Sequence, residues 1–497
     1  MADATPTALD PRRWWALALL CGAFLMVILD AAIVLVALPS IKTELGFSEQ
    51  GLQWVLSAYA ITFAGLLLLG GRAADLLGRR RMFVVGLLFF TTASLLCGLA
   101  WSPAALISAR VAQGVGAAVM TPTALSIIST TFPEGAERNK ALGIWSTMGA
   151  IGATAAWLIG GPLVDGPGWQ WIFFINIPLG LAALALSPVL LRESRAELTR
   201  RSYDPAGALT ITGALVLLVY GVVEAPDVGW ADARTILSFA GSAILLTAFG
   251  LIESRHSAPL VPLRLLRSRT LVGGNLVMLF FGAVGFGVPF ILTLYAQQVL
   301  GYSAVKFGLG TAVFTVVAAV GSIVSQAVVL KVGFRTVAAT GMALLAGGAL
   351  VFTQVSVGGS YVGDMLVGLI VYGAGIGPAF VTATVAALAG VEEHESGLAS
   401  GLSNTAFQIG AALGVAIVTT VAVTRSEDYL AANDGTNRLV ALTEGFQSAF
   451  FANAVLAGLG AVLALLLLGR ARAAAQEPVV LDPSATPVTE KETSQAA

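Results

Sequence analysis

The chain has 497 residues, of which 57% are hydrophobic and only 11% charged, and its mean hydropathy is +0.86. Soluble globular chains carry roughly a quarter of their residues as charges, so a soluble enzyme, a secreted disulfide scaffold and a disordered protein are all excluded. A net charge of −1 offers no basic surface to nucleic acid.

A helix that crosses a bilayer needs about 20 mostly apolar residues, and the apolar content suffices for about fourteen of them. In chain order, apolar runs predict spans at 14–38, 52–72, 82–101, 104–126, 140–164 and 171–191. A pair follows at 205–223 and 234–252. Six more lie at 271–296, 304–330, 336–355, 361–389, 397–423 and 447–468. The expected fold is an all-α integral membrane protein of 14 transmembrane helices. An N-terminal six-helix bundle covers 14–191, a linker over 192–270 holds the two extra helices, and a C-terminal six-helix bundle covers 271–468. Residues 1–13 and 469–497 read as tails, the second without apolar period and expected to be disordered. The first run, Trp14 to Leu38, is too long for a signal-peptide core and lacks an A-x-A exit, so it reads as an uncleaved span.

An even number of spans puts both termini on one side. With the N-terminus inside, inner loops and tails hold 21 Lys or Arg, outer loops hold five, and Arg110 lies within a span. That asymmetry predicts cytoplasmic termini. Five lysines against 22 arginines, with abundant Ala, Gly and Val, suggest a GC-rich bacterial genome and hence a bacterial cytoplasmic membrane. Trp14, Trp15, Trp54, Trp101, Trp169, Trp171 and Trp230 fall at span ends, where an interfacial aromatic belt is expected. Trp145 and Trp157 fall inside the fifth span. Cys21 and Cys97 lie in apolar runs, and His256 and His394 stand alone in loops, so neither disulfide framework nor metal site is expected. No G-x-x-x-x-G-K-[ST] run and no nucleophile–base pair stands out. Neither ATP, nor a cofactor, nor enzyme chemistry is implied.

The loop after the second span reads Gly71-Arg72-Ala73-Ala74-Asp75-Leu76-Leu77-Gly78-Arg79-Arg80-Arg81. Topogenic charge and an Asp75–Arg79 pair at i,i+4 explain part of it. The whole spacing resembles the G-x-L-A-D-x-x-G-R-R signature of the major facilitator superfamily, with Ala73 for the usual Leu. In the fourth span, Arg110-Val111-Ala112-Gln113-Gly114-Val115-Gly116-Ala117-Ala118 resembles that superfamily's R-x-x-Q-G-x-G-A-A motif. An arginine inside a span is costly unless it faces a cavity or a partner; the alternative is snorkelling to the interface.

Asp30 is the one acid deep inside the apolar runs, at a depth close to that of Arg110. It either forms a structural ion pair with Arg110 or changes protonation during transport. The second is favoured, because apolar packing could replace a purely structural pair at little loss. Leu29-Asp30-Ala31-Ala32-Ile33-Val34-Leu35-Val36-Ala37-Leu38-Pro39 resembles the L-D-x-T-I-V-N-V-A-L-P signature of 14-span drug exporters, with Ala32 and Leu35 replacing Thr and Asn. In the fifth span, Gly149, Gly152, Ala156, Gly160, Gly161 and Pro162 form a small-residue face suited to close packing. Its register resembles the antiporter motif G-x-x-x-G-P-x-x-G-G, but Ala156-Trp157 stands in place of the central Gly-Pro, so Trp157 is expected to project into the cavity. Gly168-Trp169-Gln170-Trp171-Ile172-Phe173-Phe174-Ile175-Asn176-Ile177-Pro178-Leu179-Gly180 resembles a further stretch of the same exporters.

The C-terminal half offers Asn275, Phe286, Phe290 and Tyr295 as candidate cavity residues, together with Gln326, Tyr372, Asn404 and Gln408. Aromatics with one acid would suit lipophilic cations. The resemblance implies a monomeric 14-span drug–proton antiporter, with protons and a small amphipathic substrate as its partners and the bilayer around it. A proton symporter or facilitator, or a non-transporting membrane sensor, remains as an alternative. By the same resemblance, the loop after the second span abuts the start of the thirteenth span as a cytoplasmic gate, with Asp75 near the positive N-terminal end of that helix and Arg79, Arg80 and Arg81 close to Glu392, Glu393 and Glu395.

Overall fold

The computed structural model describes residues 12–133, 136–195, 204–256, 259, 267–388, 391, 396–433 and 437–468. Fourteen helices are long and apolar enough to cross a membrane, and no strand occurs among the described residues. The first six are α1 (Arg13–Leu45), α2 (Glu49–Leu77), α3 (Arg79–Gly98), α4 (Pro103–Thr131), α5 (Lys140–Asp165) and α6 (Trp171–Leu190). The pair is α7 (Pro205–Ala225) and α8 (Ala233–Arg255). The last six are α9 (Arg269–Val299), α10 (Ala304–Val329), α11 (Phe334–Phe352), α12 (Tyr361–Leu388), α13 (Leu398–Ala432) and α14 (Arg438–Leu467). Each expected span has its helix. Several helices outrun their apolar stretch: α13 continues past 423 and α14 starts before 447, because a helix keeps its hydrogen bonds when its side chains turn polar.

The starts are set by capping. Ser102, Asp204, Ser268, Ser303 and Asn437 each accept a hydrogen bond from a backbone N–H in the first turn of α4, α7, α9, α10 and α14. Start of α1 and end of α14 share one face of the bundle, here the terminal face; the other is the distal face.

Within the first six helices, α4 packs on α2 and α3, and α5 packs on α1. Within the last six, α9 packs on α13, and α12 on both α10 and α11. Close approach requires glycine at Gly116, where a Cβ would stand 2.5 Å from the Phe90 nitrogen. The two sets meet along α2 and α13 on one side, and along α5 and the first turns of α10 on the other. The inserted helices α7 and α8 pack on one another, and α7 lies over the line where α2 meets α13. There Leu215, Val219 and Val223 join Ala60, Ile61, Ala412 and Ala416 in one apolar cluster.

Most of the terminal tryptophans behave as a belt, with Trp15, Trp101, Trp171 and Trp230 exposed. Trp169 does not: it is buried, and its Nε1 donates to Glu44 Oε2 at 2.8 Å. Trp145 stacks on Phe24, with ring centroids 4.2 Å apart.

Candidate functional site

Asp30 lies midway along α1 and Arg110 in the third turn of α4, both with no solvent exposure. Arg110 Nη1 donates to Asp30 Oδ2 at 2.5 Å and to Gln113 Oε1 at 2.7 Å. Arg110 Nε donates to the Val55 carbonyl at 2.8 Å, so α2 also holds the guanidinium. Snorkelling is thereby excluded. The other carboxylate oxygen, Asp30 Oδ1, accepts from Gln113 Nε2 at 2.7 Å and from Asn176 Nδ2 at 3.0 Å. Gln113 Nε2 also reaches Ser94 Oγ at 2.9 Å, and Cys97 Sγ lies 3.6 Å from Gln113 Oε1. The Arg110 guanidinium carbon stands 4.3 Å from the Tyr59 ring centroid.

Five helices thus converge on one carboxylate. The sequence pointed to Asp30, Arg110 and Gln113. It did not assign Ser94, Cys97 or Tyr59, and Asn176 was visible only as part of a motif, without a role. Gly114 brings α4 against α2, where a Cβ would stand 2.8 Å from the Tyr59 carbonyl oxygen.

A small cavity of about 10 Å³, space for about one water, lies beside this network between α1, α2, α4, α9 and α13. Leu56, Tyr59 and Arg110 form one wall, and Phe286, Gln408 and Val415 the other. Asp30 is not part of that wall. Two polar atoms of the lining residues are buried without a partner, Arg110 Nη2 and Tyr59 Oη.

The remaining candidates separate. Phe290 lines a second cavity of about 300 Å³ near the distal face, together with Leu294, Phe446, Glu49 and Arg438. Tyr372 and Tyr295 are buried, and their hydroxyls donate to the carbonyls of Val284 and Ser356, each at 2.8 Å, so both tie helices to backbone. Asn275 is half-buried, with its amide on the Leu271 carbonyl; Asn404 is half-buried and Gln326 exposed, and neither cavity includes them.

Trp157 was expected in the cavity and lines neither. It is buried against Phe307 of α10, with centroids 5.8 Å apart. Its neighbour Gly161 lets α5 approach α10 so closely that a Cβ would stand 2.6 Å from the Val305 Cα. Gly152, Ala156 and Gly160 belong to the other side of α5, where Gly152 and Gly160 face Leu25, Ile28 and Ile33 of α1. The small-residue face is therefore a packing surface toward α1, and Gly161-Pro162 marks the crossing toward α10.

On the terminal face, Asp75 and Arg79 form the expected pair at 3.0 Å. Gly78 turns the chain at φ +117°, a conformation that favours glycine. Arg80 donates its backbone N–H to Glu193 Oε1 at 3.1 Å, and Arg81 Nε lies 3.6 Å from Glu193 Oε2. A Cβ at Gly71 would stand 3.4 Å from Pro122 Cβ of α4, an ordinary packing distance. Glu392, Glu393 and Glu395, the expected partners of these arginines, lie outside the described residues, as do most of the tails and of the linker segments flanking α7 and α8.

Two helical sets with a cavity between them, and a buried ion pair within the first set beside that cavity, have the architecture of a membrane transporter. Residues 20–415 match the Major Facilitator Superfamily, and the chain belongs to that family. It is not an enzyme. The chain is 39% identical over 481 residues to the puromycin resistance protein pur8 of Streptomyces alboniger, covering 94% of each chain. It is 39% identical to the cephamycin export protein CmcT of Amycolatopsis lactamdurans over 82% of this chain and 84% of that one. It is 35% identical to the tetracenomycin C resistance and export protein of Streptomyces glaucescens, over 86% and 79%. Among solved structures, an inward-facing bacterial homologue of the lysosomal transporter Spinster superposes with a TM-score of 0.65 at 18% identity, over 92% of this chain and 97% of that one. The POT family transporter PepTSo gives 0.66 at 14% identity, over 91% and 97%. These two likenesses concern the fold alone.

Proposed function

We propose that this chain exports amphipathic drugs or antibiotics by alternating access, coupling their outward movement to inward movement of protons. The observation that carries this reading is Asp30, a carboxylate without solvent exposure held by Arg110, Gln113 and Asn176 beside the cavity between the bundles. A proton on Asp30 leaves Arg110 as a buried cation without its counter-charge. Stranding one partner of such a pair costs about 3–5 kcal/mol, enough to shift a two-state equilibrium by two to nearly four orders of magnitude, about 10²–10⁴. Conformations that hydrate Arg110 or bring it a substrate are then favoured, so protonation state and conformation become linked.

The relatives named for puromycin, cephamycin and tetracenomycin C support antibiotics as the substrate class. The loop charges support a terminal face in the cytoplasm of a bacterial cell, with a multi-pass chain in its cytoplasmic membrane. Both walls of the cavity come from one chain, which suits a monomer driven by the proton gradient without ATP or cofactor.

Purified protein in proteoliposomes under an imposed proton gradient tests the reading, with puromycin and tetracenomycin C as probes. Uphill accumulation that a protonophore abolishes, with protons moving against the drug, is the expected result. Protons and drug moving together would replace antiport by symport, and no movement of either would replace export by a non-transporting role.

A further inference from the structure

We infer that the wall of the central cavity selects substrates by an acceptor oxygen, a carbonyl, carboxylate or phenolate on an apolar or aromatic body, held between Tyr59 Oη and Arg110 Nη2. This rests on the export reading above and names its substrate class. One buried acid among aromatics suggests a site for lipophilic cations, but the geometry turns that around. Asp30 lies behind Arg110, its two oxygens taken by Arg110, Gln113 and Asn176, and it does not line the cavity. What lines the cavity is the arginine itself. Its Nε and Nη1 are committed to Val55, Asp30 and Gln113, which leaves Nη2 as the donor to spare.

Tyr59 repeats the pattern. Its ring stacks beneath the guanidinium, while its hydroxyl is buried without a partner. Two buried donors, both on residues that line one cavity, are expensive to leave unmade. The cavity has space for about one water, whose oxygen has the chemistry the two donors need. When the bundles separate, an oxygen of the substrate takes that place. Phe286, Leu56 and Val415 supply the apolar surface for the body that carries it, and Gln408 of α13 stands on the opposite wall. A cation finds no carboxylate there. It meets instead the positive charge of Arg110.

Three fluorescent probes sharing one ring system test this on the full-length protein purified in detergent: 9-acetylanthracene, anthracene-9-carboxylate and (9-anthracenylmethyl)trimethylammonium. The ketone and the carboxylate should bind more tightly than the ammonium. Tyr59→Phe, which removes one hydroxyl, should weaken the first two by about five- to tenfold and leave the ammonium unchanged. Gln408→Glu provides a second route should the first variant fold poorly, and it should weaken the carboxylate selectively while improving the ammonium. An ammonium that binds tightest to the unmodified protein would overturn the inference, as would an equal loss for all three probes in Tyr59→Phe, or no discrimination among probes in Gln408→Glu. Binding needs no proton gradient, so acceptor selectivity without uphill transport would remove the export reading and leave the donor pair standing.

Discussion

Asp165 caps α10 from across the bundle boundary: its Oδ2 accepts from the Val305 N–H at 2.8 Å. Oδ1 accepts from the Ala304 N–H at 3.2 Å. The carboxylate ends α5 in one bundle and satisfies first-turn donors of a helix in the other, where the helix dipole also favours a negative charge. Gln297 adds a hydrogen bond to the Val36 carbonyl at 3.0 Å, and Glu49 bridges Lys42 and Arg438. The distal face is therefore latched by groups from both bundles. Arg438 is largely exposed, so its bridge contributes little, and the cap is the strongest single element.

Asp165→Ala should loosen that latch. Losing a capping side chain costs about 1 kcal/mol, which corresponds to about a fivefold shift toward the distal-open state. Spin labels at Pro167 and Gly358, both exposed on the distal face, would read the change as a longer distance population. Unchanged distances would reduce Asp165 to a local cap with no part in gating.

Trp157 belongs to the same latch. Its indole packs on Phe307, and its carbonyl oxygen lies directly against Gly308. Trp157→Ala should remove packing between α5 and α10 and change transport of every substrate by a similar factor. A changed ranking among substrates, measured by export assays on a panel, would return the indole to the substrate path.

How much of this was legible in the sequence depends on the kind of interaction. Fourteen spans could be read because apolar length is local, and Asp30 and Arg110 stood out because an ionised group in a membrane needs a reason. The partners were harder. Asn176, Ser94 and the Val55 carbonyl come from three different helices, and which side of a helix faces inward depends on packing that no single run encodes. The aromatics misled for the same reason. Tyr295 and Tyr372 look like cavity residues until their hydroxyls are found on backbone carbonyls, and Trp169 looks like a belt residue until its nitrogen is found on Glu44.

The terminal face carries a test of conformation at one residue. Gly78 adopts φ +117°, and a Cβ there would stand 2.7 Å from the Glu193 carboxylate that holds Arg80. Gly78→Ala therefore combines a sparsely populated backbone region, costing about 1–3 kcal/mol, with displacement of the acid. A lower thermal midpoint in detergent is expected, and Glu193→Ala should recover part of that loss by clearing the space. No recovery in the double variant would mean that backbone strain alone accounts for the effect.

The ion pair allows folding and coupling to be separated. Asp30→Leu strands a buried arginine and Arg110→Leu strands a buried carboxylate, so each alone should cost about 3–5 kcal/mol of stability. The combined variant removes both charges and replaces them with apolar groups, which buried sites accept at near-neutral cost. Thermal unfolding should therefore show two weak single variants and a double variant close to the parent. Uphill export should be absent in all three, because none retains a carboxyl that exchanges a proton beside a cation. A double variant that regained both stability and proton-driven uphill export would show that Asp30 and Arg110 serve packing only, and the proton would have to be carried elsewhere.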